Sequence, residues 1–388
     1  QQGGKNFFEI HNRRSKMSSG LVVAERESDV LIIGAGLSGL SAALTLVDSE
    51  YDGTIAIVEG RDRVGGRLHA HAGVDVGGAW CWLSAHHGVP SLAKRLGIHA
   101  FPQYQQGWNL LDRGISVART KDAFDSAKLR FKGGAFAITT ALAAHLKERG
   151  VRLQLGWRVT HVSTELPNEL QVRGIQDDTE VQWKAKVLLL ATPPRVALPP
   201  SIEWVPQLPS RVASAMRDTP TWMAQTTKVL VTYPHPFWRD KGYSGDALSE
   251  GGGPIQQLYD SCGADGGEPA ALCGFILSLG HDNPPPDDVL KPQVVEQLGR
   301  MFGEDASSPL EFSTHRWGAQ PLTSANGGAT GGGHTSSGHS LLRKPFGGGY
   351  GGAPGRVWIC SAETDDRHSG LMEGALLSGR RAAEGVSL

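Results

Sequence analysis

Cysteine is scarce in this chain. Its 388 residues contain four, Cys81, Cys262, Cys273 and Cys360, with no CxxC pair among them. That spacing argues against a disulfide framework and a cysteine-based zinc site, and fits a reducing compartment. A surplus of either charge is also missing. Lys and Arg number 38 against 39 Asp and Glu, so no long-range field favours nucleic acid or an anionic membrane. Long apolar runs are lacking too: the longest, such as VLLLA at Val187 to Ala191, have strand length, too short for a bilayer span. No internal repeat is evident. What these absences leave is a soluble, globular chain acting on a small molecule, with enough residues for one large or two medium domains.

The opening QQGGKNFFEIHNRRSKMSSG carries four basic residues and one acid, has no signal-peptide apolar core and includes Met17 as an alternative start. Residues 1–28 therefore read as an extension outside the fold, disordered or targeting, with a cytoplasmic or organellar location.

The chemistry begins at DVLIIGAGLSGLSAALTL. The apolar run Val30 to Ile33 is followed by Gly34, Gly36 and Gly39 in GxGxxG spacing and then by a helix of small residues. Such glycines provide a tight turn, room for a pyrophosphate and close helix-to-strand packing, with the helix N-terminus facing the phosphates. TIAIVEG supplies the second strand and ends in Glu59, 20 positions after Gly39, where an acid binds a ribose hydroxyl pair. Strand, glycines, helix, strand and acid in this order indicate an α/β fold with a Rossmann-like dinucleotide site.

RDRVGGRLHA then places Arg61, Gly65, Gly66 and Arg67 just after the acid, and VDVGGAW places Gly77, Gly78, Ala79 and Trp80 further on. Glycine pairs also mark ordinary turns. Near the C-terminus, VWICSAETDDRHSGLMEGALLSGRRAA reads as strand, loop and helix, with Glu363, Gly370, Leu371, Met372 and Gly374. Together these segments resemble the flavin-containing amine oxidases of the monoamine oxidase type, over about Asp29 to Ala383. The resemblance implies FAD as cofactor, with Arg67 and the glycine pairs along its phosphates and flavin. It further implies Glu363 near the ribityl and pyrophosphate, and the Met372 helix pointing at the ring. In GWRVTHV the backbone at Val159 would hold the adenine. Ser361 and Ala362 replace the family's usual Gly-Thr before the acid, which leaves their side-chain contacts open.

TTKVLVTYPHPFW, Thr226 to Trp238, alternates like a strand, with Thr226, Lys228, Leu230 and Thr232 on one face and Val229, Val231 and Tyr233 on the other. Taken alone, Lys228 reads as a sheet-edge lysine. With Pro236, Phe237, Trp238 and Arg239 behind it, the segment resembles the family strand whose lysine is held by a water against the reactive flavin nitrogen. Lys228 is therefore the expected catalytic residue, an ammonium that steadies developing charge and assists the reaction with O2. Metal ligation by His69, His71, His86 or His87 has no acid or cysteine partners to support it.

The chain departs from the family in front of the flavin. Leu371 stands where one of two substrate-framing aromatic rings is usual, and Asn326 or Gly327, beyond Trp317, stands for the other. The loop that supplies a flavin-linking cysteine in covalent members has none here, so FAD is expected to be non-covalent. Trp80, Trp82, Phe101, Tyr104 and Trp108 are candidates to wall the pocket instead, or are core aromatics; Trp80, Tyr104, Trp317, Asn326 and Leu371 form the expected substrate pocket. Residues 29–100, 130–200 and 341–388 are assigned to the FAD domain, and 101–129 and 201–340 to a smaller α+β substrate domain. The Gly-rich stretch Thr323 to Gly355 reads as a loop, a lid or a simple insertion. Expected partners are a small-molecule amine and O2, with no nucleic acid and no membrane span, leaving room for a homodimer. Oxidation of an amine to imine and carbonyl product with release of H2O2 leads. FAD-dependent desaturation or isomerisation of an apolar metabolite, or a degenerate flavin carrier, are the alternatives. An amino-acid substrate would need a cation for its carboxylate, with Arg316 and Arg367 as candidates.

Overall fold

The computed structural model describes residues 24–122, 127–264, 266, 269–277, 285–325, 338–347 and 355–386. Residues 1–23, with Met17, lie outside them, as do Asn326 and Gly327.

Val30 to Ile33 and Ile55 to Val58 are buried on both faces, as their unbroken apolar runs require of parallel strands covered on two sides. They sit in an eight-stranded sheet ordered Arg152–Gln154, Ile55–Val58, Ala24–Ile33, Thr179–Leu190, Leu170–Gln176, Arg158–Ser163 and Glu203–Val205. Val357–Ile359 also pairs with Thr179–Leu190. Ala24–Ile33 runs parallel to both neighbours, with Ile33 opposite Val58 and Leu190. The helix Leu37–Asp48 covers one face and packs on the C-terminal helix Met372–Val386. Ser41 Oγ donates to the Leu376 carbonyl at 2.8 Å, and Gly379 lies so close to Ser38 and Ala42 that a Cβ there would strike their backbone.

A second, seven-stranded sheet has the order Glu311–Arg316, Thr226–Tyr233, Ala270–Leu277, Gln257–Asp260, Tyr243–Ser249, Trp108–Asp112 and Val117–Thr120. Leu290, Val294, Leu298, Met301 and Phe302 of the helix Asp287–Phe302 share its apolar core. A small sheet of Cys81–Trp82, Lys128–Phe131 and Ala100–Pro102 completes the layer near the cavity.

Three expectations change. The first strand starts at Ala24 rather than Asp29, because residues 24–28 extend the parallel pairing with Val181 to Ala185. Glu203–Val205, expected in the substrate domain, joins the first sheet beside Arg158–Ser163, burying Ile202 and Trp204 in that sheet's core. Thr226–Tyr233 is not an edge strand: it pairs on both sides, and every residue in it is buried. Of the Gly-rich stretch, the described parts hold a short 3-10 turn at Ser340–Arg343 and a bridge from Phe346 to Val357. No helix among the described residues is long and apolar enough to cross a membrane.

Candidate active site

A cavity of about 470 Å³ runs from the end of the first strand to the second sheet. At one end Gly34 takes a positive φ of 108°, a region that favours glycine. Gly39 sits one helical turn on, where a Cβ would overlap the Gly34 carbonyl, so the helix can begin only against bare backbone. Gly34, Gly36 and Gly66 line the cavity, whereas Gly39 acts by packing behind it. Glu59 is 6% exposed and accepts from the Ala35 and Arg61 backbone N–H groups, both at 2.9 Å. Those bonds fix a buried carboxylate at the cavity wall beside Arg61 and Val159.

Arg67 also lines the cavity, but its guanidinium is gripped from behind. Nη1 and Nη2 donate to the two Glu363 oxygens at 2.6 and 2.9 Å. Glu363 itself, 2% exposed, is absent from the lining. It acts by holding Arg67, and it also accepts from the Trp222 N–H at 3.4 Å.

Toward the second sheet the wall passes Gly77, Gly78, Ala79, Trp80, Trp317, Leu371 and Met372. Trp317 is anchored by its indole N–H to the Val76 carbonyl at 3.0 Å, and Trp80 by its indole N–H to Gln103 at 2.8 Å. Lys228 is 3% exposed. Its Nζ donates to the Gly77 carbonyl at 2.9 Å and lies 5.1 Å from the Trp80 ring centroid and 5.5 Å from that of Phe275. Phe275 and His315 are its register partners on the two neighbouring strands. Burial pushes the imidazole of His315 down to about 4, helped by His69, Arg63 and Lys228 nearby, so it is neutral at physiological pH.

Tyr104 does not line the cavity; its ring lies under the Arg239 guanidinium at 4.0 Å. Phe101 faces Arg130 at 5.5 Å, and Trp108 is exposed under Lys121. Phe101 and Trp108 lie on the strands Ala100–Pro102 and Trp108–Asp112 and Tyr104 in the loop between them, and all three rings pack against cations off the cavity wall. Tyr259, Phe275 and Trp222 take their place on the wall with Trp80 and Trp82. Tyr259, Phe275 and Trp80 pack together with centroids 5.1 to 6.0 Å apart. Lys128, 2% exposed, joins this group with its Nζ 4.2 Å from the Tyr259 centroid and 5.0 Å from that of Trp80. Sequence reasoning missed Lys128, Tyr259 and Phe275. Only the pairing of distant strands brings them to one point.

Two buried acids serve the scaffold. Asp75 accepts from the Ala135 N–H at 2.9 Å, at the start of the helix Ala135–Glu148. Glu373, within the Gly-x-Met-Glu-Gly segment, accepts from the N–H groups of His87, Gly88 and Val89 at 3.3, 2.7 and 2.9 Å, capping the helix Gly88–Arg95. None of the four cysteines lines the cavity. Burial pushes the thiols of Cys81 and Cys262 up to about 12 and that of Cys360 up to about 11.

The arrangement fits a bound FAD. A bare-backbone turn with a helix N-terminus, a fixed carboxylate, a clamped arginine and a buried ammonium follow one another along a single cavity.

The family model for flavin containing amine oxidoreductase matches residues 37–129 and 103–387. A Mycobacterium tuberculosis protein provisionally named flavin-containing monoamine oxidase AofH is 28% identical over 457 residues, covering 92% of this chain and 96% of that one. The Danio rerio amine oxidase [flavin-containing] is 25% identical, covering 92% and 85%. Among solved structures, a putrescine oxidase bound to putrescine superposes with a TM-score of 0.76 at 19% identity, covering 94% and 99%. Cyclohexylamine oxidase from Brevibacterium oxydans IH-35A gives 0.75 at 20%, covering 93% and 98%.

Proposed function

The chain belongs to the flavin containing amine oxidoreductase family, and from that premise we propose that it oxidises a small neutral amine with non-covalent FAD, releasing a carbonyl compound and H2O2. When bound, the flavin supplies a hydride acceptor for the amine α-carbon and a route for the electrons to O2, after which the imine hydrolyses. The residues do the rest. Glu59 is placed to accept from ribose hydroxyls, and the helix beginning at Leu37 presents its N-terminus to the phosphates. Arg67, clamped by Glu363, adds a fixed cation. Trp80, Tyr259 and Phe275 exclude water from the substrate end.

The observation that carries the reading is Lys228, a buried ammonium on the cavity wall tied to the carbonyl of the glycine pair that borders it. A cation held there, away from bulk water, favours negative charge in the space it faces. Non-covalent attachment is supported by the four cysteines, all buried, protonated and off the wall. The division of labour follows the two sheets, the first carrying the dinucleotide and the second the lysine and the aromatic wall.

A peroxidase-coupled assay on FAD-loaded protein with primary amines, secondary amines and amino acids tests the activity; peroxide from at least one class supports it, and none from any class refutes it. Acid precipitation tests the attachment: yellow supernatant is expected, and flavin retained on the pellet would overturn it.

A further inference from the structure

Residues 317–323 form a strap along the cavity. At its start Trp317 lies against the glycine pair: its indole N–H donates to the Val76 carbonyl at 3.0 Å, and a Cβ on Gly77 would sit 3.2 Å from its Cζ2. Near its end Leu322 reaches Gly60, the residue after the Glu59 carboxylate. A Cβ on Gly60 would come within 2.8 Å of Leu322 Cδ1 and 3.7 Å of the Arg158 Cα. The missing side chain of Gly60 is thus the seat of the leucine. Trp317, Pro321 and Leu322 all line the cavity.

Between its ends the strap closes on itself in short turns. The Gln320 N–H donates to the Trp317 carbonyl at 3.2 Å, and the Thr323 and Ser324 N–H groups both donate to the Gln320 carbonyl at 2.9 Å. Ala319 and Pro321 are exposed. Thr323, only 1% exposed, fastens the far end. Its hydroxyl accepts from Arg61 Nη2 at 2.7 Å, and its carbonyl accepts from the Thr221 hydroxyl at 2.9 Å. Arg61 belongs to the loop after Glu59, and Thr221 to the segment that leads into the Lys228 strand. One threonine therefore joins the strap to both sides of the cavity. The Arg61 bond is charge-assisted, the stronger of the two kinds, yet it hangs on a single hydroxyl.

Glu59, Gly60, Arg158 and Val159 border the end of the cavity that suits ribose and adenine, and Leu322 sits among them. Resting on the proposed non-covalent FAD, we propose that Thr323 is a latch for the cofactor: the strap lies over the adenosine half of the bound dinucleotide, and FAD enters and leaves when the Thr323 bonds to Arg61 and Thr221 open. A gate has its own kinetic signature. Opening precedes both entry and exit, so loosening the latch speeds both by the same factor and leaves Kd in place. Loss of a direct cofactor contact instead raises the exit rate and Kd together.

The test dilutes the full-length, FAD-loaded protein in a series and follows the fluorescence of released flavin. The time course gives the exit rate and the end points give Kd. Thr323→Val keeps the shape of the side chain and drops the hydroxyl. Exit should become about tenfold faster, the size of one charge-assisted hydrogen bond, with Kd within about twofold of the wild type, as a gate requires. Thr221→Val, which removes a bond between neutral groups, should act in the same direction by a smaller factor, and it carries the test if Thr323→Val does not fold. An unchanged exit rate in either folded variant overturns the latch. So does an exit rate that rises in step with Kd, which would make Thr323 an ordinary cofactor contact. Flavin retained on the denatured chain would sink non-covalent attachment and the latch with it, whereas free flavin leaving both variants at the wild-type rate would sink the latch alone.

Discussion

Arg67 and Glu363 form a bidentate ion pair, with nitrogen-to-oxygen distances of 2.6 and 2.9 Å, that joins the glycine-rich turn after Glu59 to the loop before the C-terminal helix. The two ends of the cofactor motif are therefore tied across 296 residues of sequence. Removing the arginine leaves a carboxylate that is 2% exposed without its main partner. Arg67→Ala should cost about 2–4 kcal/mol of stability, toward the lower end because the guanidinium itself is 25% exposed. FAD content per chain should fall with it. Arg67→Lys should recover the charge but not the two-pronged geometry. Thermal unfolding and the ratio of flavin to protein absorbance check both; unchanged values in Arg67→Ala would show the pair to be idle.

Glu373 holds the start of the helix Gly88–Arg95 through three backbone N–H groups. Glu373→Ala should destabilise the protein by about 1–2 kcal/mol, as loss of a helix cap does. Glu373→Gln, which retains an acceptor oxygen, should recover part of it. Urea unfolding with FAD in excess separates this loss from weaker cofactor binding; identical midpoints for wild type and Glu373→Ala would refute the capping role.

His315 gives a pH dependence of definite sign. The folded chain holds its pKa down at about 4, chiefly by burial, whereas an unfolded histidine titrates near 6.5. Above about pH 6.5 both states are neutral there and the residue contributes no slope. Between about 6.5 and 4 the unfolded chain takes up a proton that the folded chain refuses, so stability falls as pH falls, and the effect levels off below about 4. His315→Gln should flatten the decline of the urea midpoint across pH 6.5 to 4.5. A decline as steep in the variant as in the wild type would assign the slope to other groups.

Much of the cofactor half was legible in the sequence because each of its parts is local: a turn, an acid at the end of the next strand, a glycine pair. Gly34, Gly36, Glu59, Arg67, Gly77 and Met372 all reach the cavity wall. Local sequence could not reveal the partners. Lys228 is expected at the flavin from the segment behind it, but the strands that bury it, Ala270–Leu277 and Glu311–Arg316, are visible only in the fold. Tyr104 has the composition of a pocket residue, yet its ring packs on Arg239. Lys128 belongs to a strand of four residues with no visible period, and only the register with Trp82 carries it to the aromatic wall. Glu373 falls inside a segment that resembles a flavin motif, and its partners lie in a helix 284 to 286 positions earlier.

The most direct test of the account is a stopped-flow comparison of wild-type and Lys228→Met proteins, both FAD-loaded. Each is first reduced by an amine without oxygen and then mixed with O2. If Lys228 steadies negative charge at the reacting end of the cavity, reoxidation should slow about 100-fold in the variant, the usual effect of losing one preorganised charge-stabilising group. Flavin content and reduction by the amine should change far less. Reoxidation at the wild-type rate would contradict the role assigned to Lys228, and failure of every amine to reduce the wild-type flavin would contradict amine oxidation itself.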